Sequence, residues 1–438
     1  MSDRVRLAVD LVAIAVVHAL AAFVARSLGF DHVSDDDFAR VTIAQSFARY
    51  PKLDPTGTSW LPFPFWILGS AMFVLGRSLA TARALSIVFA SLAAALPYLA
   101  LRLTGTPRIR ALVATAFAFG TPWAIWLGAS TVPESFTASL TASAAIVLGS
   151  ANATKSRAPV FFAFGLLAAC LSRYEPWPIA ALLALVLVLR ARSDASSRRV
   201  AIACAALAVA GPLLWMAWNA HAHDGPLHFF RRVSSFKRAI GDGSTSALAA
   251  AFQYPWLLLT HRPEVALCSL LVALRLGTKE LRAKWLVPLL AVVAQLVFLG
   301  IGNARDGAPA HHPERALLGS MLILALFTID AGVVVLQPLG RDMKKLATVA
   351  VVAVAWLVRS LIGLASPPGM TAYEDRRPQI ERGAKLRTDG VVSIIVTPCA
   401  FEHFALVASY GAPERAVLEN KTNAPVTPEC PSVEAYTR

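Results

Sequence analysis

Long apolar runs recur along most of this chain, and they constrain its fold more than any other feature. Several approach the roughly 20 residues with which a helix crosses about 30 Å of hydrocarbon. Only 16% of the 438 residues are charged and the mean hydropathy is +0.57, whereas a soluble domain carries about 25% charged residues. The sequence therefore predicts an all-α polytopic membrane protein.

The runs predict about 11 membrane-spanning helices. Arg4 and Arg6 precede the first run, as in a signal peptide, but no small-residue cleavage site stands out. We therefore interpret this run as a retained anchor. The predicted spans are 7–25, 81–101, 111–129, 135–151, 158–172, 176–190, 200–220, 264–276, 285–301, 316–337 and 346–364.

Three further segments predict helices that lie at the interface. Residues 38–50 place apolar side chains at helical spacing opposite Arg40 and Arg49, which predicts an amphipathic helix. Residues 61–76 are apolar but short and begin with two prolines, which predicts an interfacial or re-entrant helix. Residues 247–260 are a third candidate.

Basic residues gather in short clusters between the apolar runs, a pattern that sets membrane orientation. All of these clusters are cytoplasmic only if residues 61–76 do not cross. The N-terminus is then predicted in the cytoplasm, and the catalytic face and C-terminal tail outside a plasma or inner membrane. We therefore attribute the net charge of +14 to basic clusters that orient the chain in the membrane. No nucleic-acid partner is predicted.

The chain is predicted to form two domains. Residues 1–365 would be the transmembrane catalytic domain, with an outer catalytic loop at 26–80, and residues 366–438 a small soluble α/β domain. In the tail, 391–396 and 415–418 predict strands and 401–410 a helix. Cys399 and Cys430 could form a disulfide if the tail lies in an oxidising compartment.

Three adjacent carboxylates, Asp35, Asp36 and Asp37, follow the first span. Charges beside a bilayer are costly unless they face water, a cation or a polar substrate. One could be a general base for an acceptor hydroxyl, while a neighbour binds sugar hydroxyls or a divalent cation, Mg²⁺ or Mn²⁺. Mutual repulsion predicts a raised pKa for at least one. The alternative is a solvated cap of the helix that begins near Phe38.

Charged residues also mark the outer ends of two later spans. Arg173, Tyr174 and Glu175 predict a phosphate-binding guanidinium held by an acidic partner, and the alternative is a structural ion pair. Glu134 stands at the start of another span, where an exposed helix cap is the commoner role.

Two histidine-containing segments are predicted on the same face. His311, His312 and Arg315 could stabilise a leaving phosphate, or Arg315 could snorkel beside two surface histidines. No accompanying Cys or His spacing supports a zinc site there. A second group, at 221–232, is predicted to cover the active face rather than to bind metal. Trp60 fits an aromatic belt.

Two functional classes remain open. No phosphate-binding glycine loop and no G-x-S-x-G motif is present, which argues against nucleotide-driven pumping and a serine lipase. A transporter or flippase of a lipid-linked sugar usually places polar residues near mid-membrane on repeated helices. Here they lie at the outer ends of spans, which favours an enzyme over a transporter. A polysaccharide ligase or polymerase would use the same class of donor.

The order of these motifs resembles the GT-C superfamily of membrane glycosyltransferases, which includes protein O-mannosyltransferases, lipid A aminoarabinose transferases and the GPI and dolichol-pathway mannosyltransferases. The segments that carry the resemblance are Asp35-Asp36-Asp37-Phe38, Thr58 to Pro64, Ser172 to Glu175 and His311 to Arg315. His311 and Arg315 match the family's His-Lys-Glu-x-Arg-Phe element, with Glu314 at its variable position, whereas His312-Pro313 replace Lys-Glu and Ala316 replaces the aromatic residue.

The resemblance implies an inverting hexosyltransferase, with mannosyl transfer as the narrower expectation. Its donor would be a polyprenyl-phosphate-linked sugar, its acceptor an unknown glycan, lipid or protein, and no nucleotide would be needed. The catalytic carboxylate would be Asp36 or Asp37, with Asp35 the third choice. The donor phosphate would be bound by Arg173, His311, His312 and Arg315, with support from Glu134, Tyr174, Glu175, Glu314 and Trp60.

Overall fold

The fold is a bundle of helices with one small sheet near the C-terminus. The computed structural model describes residues 2–57, 59–150, 158–239, 246–276, 278–305, 312–336, 354, 356–363, 374–396, 401–418 and 434–436. Within these ranges the predicted all-α membrane architecture with a small α/β unit is confirmed.

The helices follow one another with short connections. In the first half they are α1 (Asp3–Ser27), α2 (Asp36–Arg49), α3 (Phe63–Leu75), α4 (Leu79–Leu103), α5 (Arg108–Phe119), α6 (Pro122–Ala129), α7 (Glu134–Gly149), α8 (Ala158–Cys170) and α9 (Pro176–Ser193). In the second half they are α10 (Arg198–Ala222), α11 (His228–Ala239), α12 (Ala247–His261), α13 (Pro263–Leu274), α14 (Lys279–Ala304), α15 (Glu314–Leu336) and α16 (356–363).

Six helices in the described part of the chain, α1, α4, α9, α10, α14 and α15, are long and apolar enough to cross a membrane. Two bent pairs, α5–α6 at 73° and α12–α13 at 103°, raise the count to eight if each is one span. The predicted span 111–129 is therefore broken, because Thr121 caps α6 and Pro122 begins it. The predicted span 346–364 lies mostly outside the described residues.

Helix α7 forms the centre of the bundle. Every residue from Ser135 to Gly149 except Phe136 is buried, and α7 contacts α4, α8, α14 and α15. Its alanines and serines allow close helix packing. The hydroxyls of Ser139 and Ser143 donate to the carbonyl groups four residues earlier, so these polar groups are satisfied within the helix. This packing places Glu134 at one end of the bundle axis.

The opposite end of the bundle is joined by ion pairs. Asp10 of α1 accepts two hydrogen bonds from Arg108, at 2.7 and 2.8 Å. Asp330 of α15 pairs with Lys284 at 2.6 Å and with Arg110 at 3.2 Å. These basic residues come from the clusters predicted to be cytoplasmic. Their partners explain how charges at helix ends are accommodated beside an apolar core.

Helices α2 and α3 pack together at the Glu134 end. Phe38 and Val41 of α2 meet Phe65 and Met72 of α3 in a buried apolar cluster. The prediction of a simple amphipathic helix at 38–50 is wrong in one respect, because Arg40 on its expected polar face is only 5% exposed. With 13 residues, α3 is about 20 Å long, which is too short to cross about 30 Å of hydrocarbon.

The C-terminal segments form a compact α/β unit against α2. Helices α17 (Arg377–Thr388) and α18 (His403–Tyr410) flank a sheet of β1 (Ser393–Val396), β2 (Ala416–Leu418) and β3 (Glu434–Tyr436). The strand order is β2-β1-β3, with β2 parallel and β3 antiparallel to β1. The predicted strands and helix are therefore confirmed, whereas Cys399 and Cys430 lie outside the described residues.

The C-terminal unit is attached to α2 by polar contacts. The Gln45 side-chain amide donates to the carbonyl oxygens of Ala408 and Arg77, at 2.8 and 2.9 Å. Arg77 forms a two-bond ion pair with Glu414, with both distances 2.9 Å. The unit therefore packs against the segment that contains Gln45 and Arg77, as its small size predicts, and the domain boundary at 365 stays a prediction.

Candidate active site

Asp37 is the most constrained carboxylate of the triplet. It is 3% exposed, and one oxygen accepts from the backbone N–H groups of Val33 and Ser34, at 3.0 and 3.3 Å. The other accepts from the backbone N–H and hydroxyl of Thr131, at 2.8 and 3.0 Å. These bonds tie the start of α2 to the α6–α7 connection. These bonds favour a structural role for Asp37, and its place among the catalytic carboxylates stays a prediction.

Asp35 is held by the C-terminal unit. Arg376, itself 5% exposed, donates two hydrogen bonds of 2.8 Å to the two oxygens of Asp35. Arg376 also pairs with Glu374 at 2.6 Å and approaches Glu402 at 3.7 Å. No sequence pattern singles out this arginine, since it is one of several basic residues in the tail.

Asp36 is the most exposed of the three carboxylates, with 40% of its side chain accessible. One oxygen accepts a 2.9 Å hydrogen bond from Arg315. The desolvation of Asp36 tends to raise its pKa, but the charges of Arg315 and Arg40 outweigh it and lower the pKa below the ordinary 3.8. The expected pKa elevation through mutual repulsion is therefore wrong for Asp36, because each Asp faces its own partners.

Glu134 is the first residue of α7, and its side chain is completely buried. One oxygen accepts from Arg315 at 2.7 Å and from Arg173. Arg315 therefore bridges Asp36 and Glu134, and its 8% side-chain exposure excludes snorkelling. The expected exposed cap is wrong for Glu134, because two guanidinium groups compensate its charge inside the bundle.

Arg173 occupies the turn between α8 and α9, where the sequence predicts an arginine with an acidic partner. It donates to Glu175, with bonds of 2.5–3.1 Å, and to Glu134. Pro176 begins α9 directly after this pair, so the turn is short and places Arg173 at the end of the bundle. Both predicted cationic residues, Arg173 and Arg315, thus converge on Glu134.

Aromatic side chains surround this ion network. The Tyr174 hydroxyl donates to the Ser59 carbonyl at 2.6 Å and accepts from the Trp215 ring nitrogen at 3.1 Å. The Phe229 ring stacks on Tyr174 with centroids 4.6 Å apart. Trp60 does not act as a simple belt residue, because the Arg40 guanidinium lies 4.4 Å from its ring centroid. Arg40 is not among the site residues that the sequence predicts.

Only part of the predicted histidine site can be placed. His311 lies outside the described residues. His312 has a φ of 52° and is buried, with its ring nitrogen 3.5 Å from Glu314. A surface histidine is therefore the wrong description for His312. Its ring lies against an acidic partner at the start of α15, beside Arg315 in sequence.

The three aspartates do not share a cation-binding geometry. Asp35 faces Arg376, Asp36 faces Arg315, and Asp37 is filled by N–H and O–H donors. Among the residues that the structure describes, no group of three or more His, Cys, Asp or Glu side chains could hold a metal ion. The described residues therefore do not fit the divalent cation that the sequence suggested at the triplet.

A small cavity lies beneath the network, between α7, α9, α14 and α15. Glu134, Thr137, Arg173, Gln295 and Arg315 contribute its polar lining. Within the described part of the chain, one Glu134 oxygen and the Thr137 hydroxyl have no hydrogen-bond partner. The space open to water centres is about 20 Å³, and one water needs about 10–15 Å³. The cavity thus has room for one or two waters that would satisfy these groups.

Comparison with known proteins gives structural but not sequence relatives. No family model and no curated protein sequence matches the chain. The crystal structure of ArnT from Cupriavidus metallidurans bound to undecaprenyl phosphate is similar over 94% of this chain and 89% of that chain. It has 16% sequence identity and a TM-score of 0.56.

A second similar structure is the Archaeoglobus fulgidus oligosaccharyltransferase in complex with zinc and sulfate, with 14% identity and a TM-score of 0.49. It covers 86% of this chain, which spans 55% of that protein's chain. ArnT is a GT-C glycosyltransferase. The chain thus has the GT-C fold, and the resemblance expected from the sequence is confirmed for the fold.

Proposed function

We propose that the protein is an integral-membrane glycosyltransferase that transfers a sugar from a polyprenyl-phosphate-linked donor to an acceptor on the outer face. The observation that carries this proposal is the placement of Asp36. It is the most open carboxylate of the triplet, yet Arg315 fixes it beside a buried network of arginines and acids. The GT-C fold supports the class of reaction, and a neighbour that binds undecaprenyl phosphate supports the class of donor.

Asp36 acts in this proposal as the general base. Its lowered pKa keeps it ionised at neutral pH, so it can accept the proton of an acceptor hydroxyl. The acceptor oxygen then forms a bond to the anomeric carbon, while the bond from that carbon to the phosphate oxygen breaks. Attack from the face opposite the phosphate inverts the configuration, and the polyprenyl phosphate leaves as an anion.

Positive charge near Asp36 stabilises the departing anion. Arg40, Arg173 and Arg315 all influence Asp36 electrostatically, and such fixed charges act most strongly where water is excluded. Arg173 and Arg315 already donate to carboxylates, so they contribute mainly through their field. Donor-phosphate contacts from His311 and His312 stay predictions. Because the triplet does not fit a metal ion, no step of the proposed reaction requires one.

The transferred sugar would be a hexose, and the acceptor would be a glycan, lipid or protein that carries a hydroxyl group. The N-terminus would be cytoplasmic and the C-terminal unit on the catalytic side. This orientation rests on the basic clusters, including Arg108 and Lys284, which lie together at the end opposite Asp36.

Transfer should be measured in proteoliposomes with a radiolabelled hexosyl polyprenyl phosphate and a membrane extract as acceptor source. We expect Asp36→Asn to lower the transfer rate by about 10²–10⁴-fold, the usual contribution of a general base. The control is Asp224→Asn, since Asp224 is 69% exposed on the α10–α11 connection. Wild-type transfer by Asp36→Asn would contradict the base assignment. Movement of the labelled lipid across the bilayer without a new glycoside would instead indicate a transporter.

A further inference from the structure

Gln295 is a buried polar residue within the apolar helix α14. Its side chain is almost completely removed from solvent, at 2% exposure. Helix α14 is one of the six that are long and apolar enough to cross a membrane. A polar side chain at such a position is costly unless it is hydrogen bonded, and it often marks a functional site. The presence of an amide here therefore needs an explanation beyond the packing of apolar helices.

The Gln295 amide binds two residues of α15 that lie one helical turn apart. Its NH₂ group donates to the carbonyl oxygen of Ala316 at 2.9 Å, and its oxygen accepts from the Ser320 hydroxyl at 2.7 Å. Gly319 permits this close approach, because a β-carbon there would lie 3.7 Å from the amide oxygen and 3.9 Å from the amide nitrogen. The amide thus joins α14 to the first two turns of α15.

The first turn of α15 also carries the cation that faces the proposed base. Arg315 directly precedes Ala316, and it donates to Asp36 at 2.9 Å and to Glu134 at 2.7 Å. The first N–H groups of a helix have no acceptor within the helix, and helix ends fray. A side chain that holds the Ala316 carbonyl group therefore limits movement of the backbone from which Arg315 extends.

The small cavity beneath the ion network increases the need for such support. Gln295 lines this cavity together with Glu134, Thr137, Arg173 and Arg315. A side chain beside an open space has no packing partner on that side, so it loses the corresponding dispersion contacts. The two hydrogen bonds of Gln295 hold the wall of the cavity to which Arg315 belongs, where apolar packing is incomplete.

We propose that Gln295 is a positioning residue for the transfer reaction, which fixes the first turn of α15 and thereby holds Arg315 against Asp36. The inference rests on the proposed function, because it takes Asp36 as the base. Gln295 acts through three connected contacts. Its amide binds the Ala316 carbonyl, the backbone joins Ala316 to Arg315, and the Arg315 guanidinium binds Asp36. A fixed partner keeps the base in one geometry, as proximity effects require.

The alternative is that Gln295 only strengthens the contact between α14 and α15, as polar side chains do between many membrane helices. The two roles differ in what they predict for Asp36. Arg315 on α15, Arg40 on α2 and Arg173 at the α8–α9 turn lower the pKa of Asp36 by their charge. Because Arg315 also donates a hydrogen bond to Asp36, its displacement should raise that pKa. A contact that serves stability alone should leave it unchanged.

The test is the transfer rate of Gln295→Met as a function of pH, measured per folded molecule in the proteoliposome assay. Methionine is close to glutamine in size but has no N–H donor. The Ser320 hydroxyl can donate within its own helix instead, so the variant should fold. We expect the rate at neutral pH to fall by about 10–100-fold, since a small misplacement of catalytic groups costs up to about 10²-fold. The acid limb of the pH–rate profile should move to higher pH.

The matched control is Asn303→Leu on the same helix. Asn303 is also 2% exposed, and its amide donates to the Ala250 carbonyl at 3.0 Å and to the Gln253 side-chain oxygen at 2.6 Å. These bonds join α14 to α12 rather than to α15. The control should lower the midpoint of thermal unfolding, while its rate per folded molecule and its acid limb should equal those of the wild type.

A wild-type rate and a wild-type acid limb in Gln295→Met would refute the positioning role. If the unfolding midpoint alone falls, Gln295 is a structural contact. If Gln295→Met does not fold, Gln295→Asn gives the same test, because its shorter amide cannot reach both Ala316 and Ser320. Wild-type values of rate and acid limb in that variant would refute the role equally.

Asp36→Asn, measured in the same assay, separates this inference from the proposed function. Wild-type transfer by Asp36→Asn would refute the base assignment on which the inference rests. Loss of transfer in Asp36→Asn together with wild-type behaviour of Gln295→Met would refute only the role of Gln295. Loss of transfer in Asp36→Asn together with the slower rate and shifted acid limb of Gln295→Met would support both.

Discussion

The structure predicts that substitutions of two adjacent aspartates will have different effects on stability and activity. Asp37→Asn should destabilise the protein, whereas Asp36→Asn should remove transfer and leave stability nearly unchanged. Both substitutions conserve size and remove one negative charge. They differ in what surrounds the carboxylate, because Asp37 is buried among four donors and Asp36 is partly exposed with one arginine partner.

The expected size follows from the hydrogen bonds. An asparagine at 37 retains one oxygen, so it can accept from the Val33 and Ser34 pair or from Thr131, but not from both. Two bonds to a charged acceptor are lost, at about 1.5–3 kcal/mol each. Asp37→Asn should therefore lower the free energy of unfolding by about 3–6 kcal/mol. In addition, one backbone N–H donor would face the NH₂ group of the new amide. Asp36→Asn removes one partly exposed ion pair, which should lower the free energy of unfolding by about 1 kcal/mol or less.

Thermal unfolding in detergent, followed by size-exclusion chromatography of the remaining folded fraction, would measure the difference. Asp37→Asn should unfold at a clearly lower temperature than Asp36→Asn, and its residual activity per folded molecule should exceed that of Asp36→Asn. An Asp37→Asn protein that is as stable as the wild type and inactive would show that Asp37 takes part in the chemistry. The structural assignment would then be wrong.

Two further predictions concern pH and packing. Arginine charges hold the Asp36 pKa below 3.8. The rate of transfer should therefore stay level as pH falls from 7 to about 5 and decline only below about 4, where the base becomes protonated. A pH–rate profile with its midpoint near 6 would contradict this. Gly383→Ala should loosen α17 from α18, since the added methyl would overlap the Leu406 carbonyl oxygen, at a cost of about 1–3 kcal/mol. Limited proteolysis of the tail should report that change, with the exposed Lys385→Ala as control and an unaltered cleavage rate as the contrary result.

The C-terminal unit has a larger part in the site than its sequence suggests. Arg376 neutralises Asp35 through two hydrogen bonds, and Gln45 joins α2 to Ala408 of α18. The acidic triplet at the start of α2 is therefore held from two sides, by the membrane bundle through Thr131 and by the tail through Arg376. A rigid loop keeps a base in one geometry, which is what proximity effects in catalysis require.

The membrane class, the helical fold and the place of the acidic triplet followed from the sequence alone. Each depends on a local property, because the cost of placing a segment in hydrocarbon is set by the segment's own side chains. The tail strands were predictable for a similar reason, since residues 391–396 are rich in β-branched side chains. Helix breaks were less predictable, and the predicted span 111–129 bends by 73° at Pro122.

The different surroundings of the three aspartates were decided by tertiary structure alone. Asp35, Asp36 and Asp37 are chemically identical in sequence, but their partners lie 341, 279 and 94 residues away, at Arg376, Arg315 and Thr131. The ionisation and reactivity of a carboxylate depend on its hydration, its hydrogen bonds and nearby charge. Those neighbours are brought together only when the bundle and the tail pack, so no local pattern could distinguish the fully buried aspartate from the proposed base.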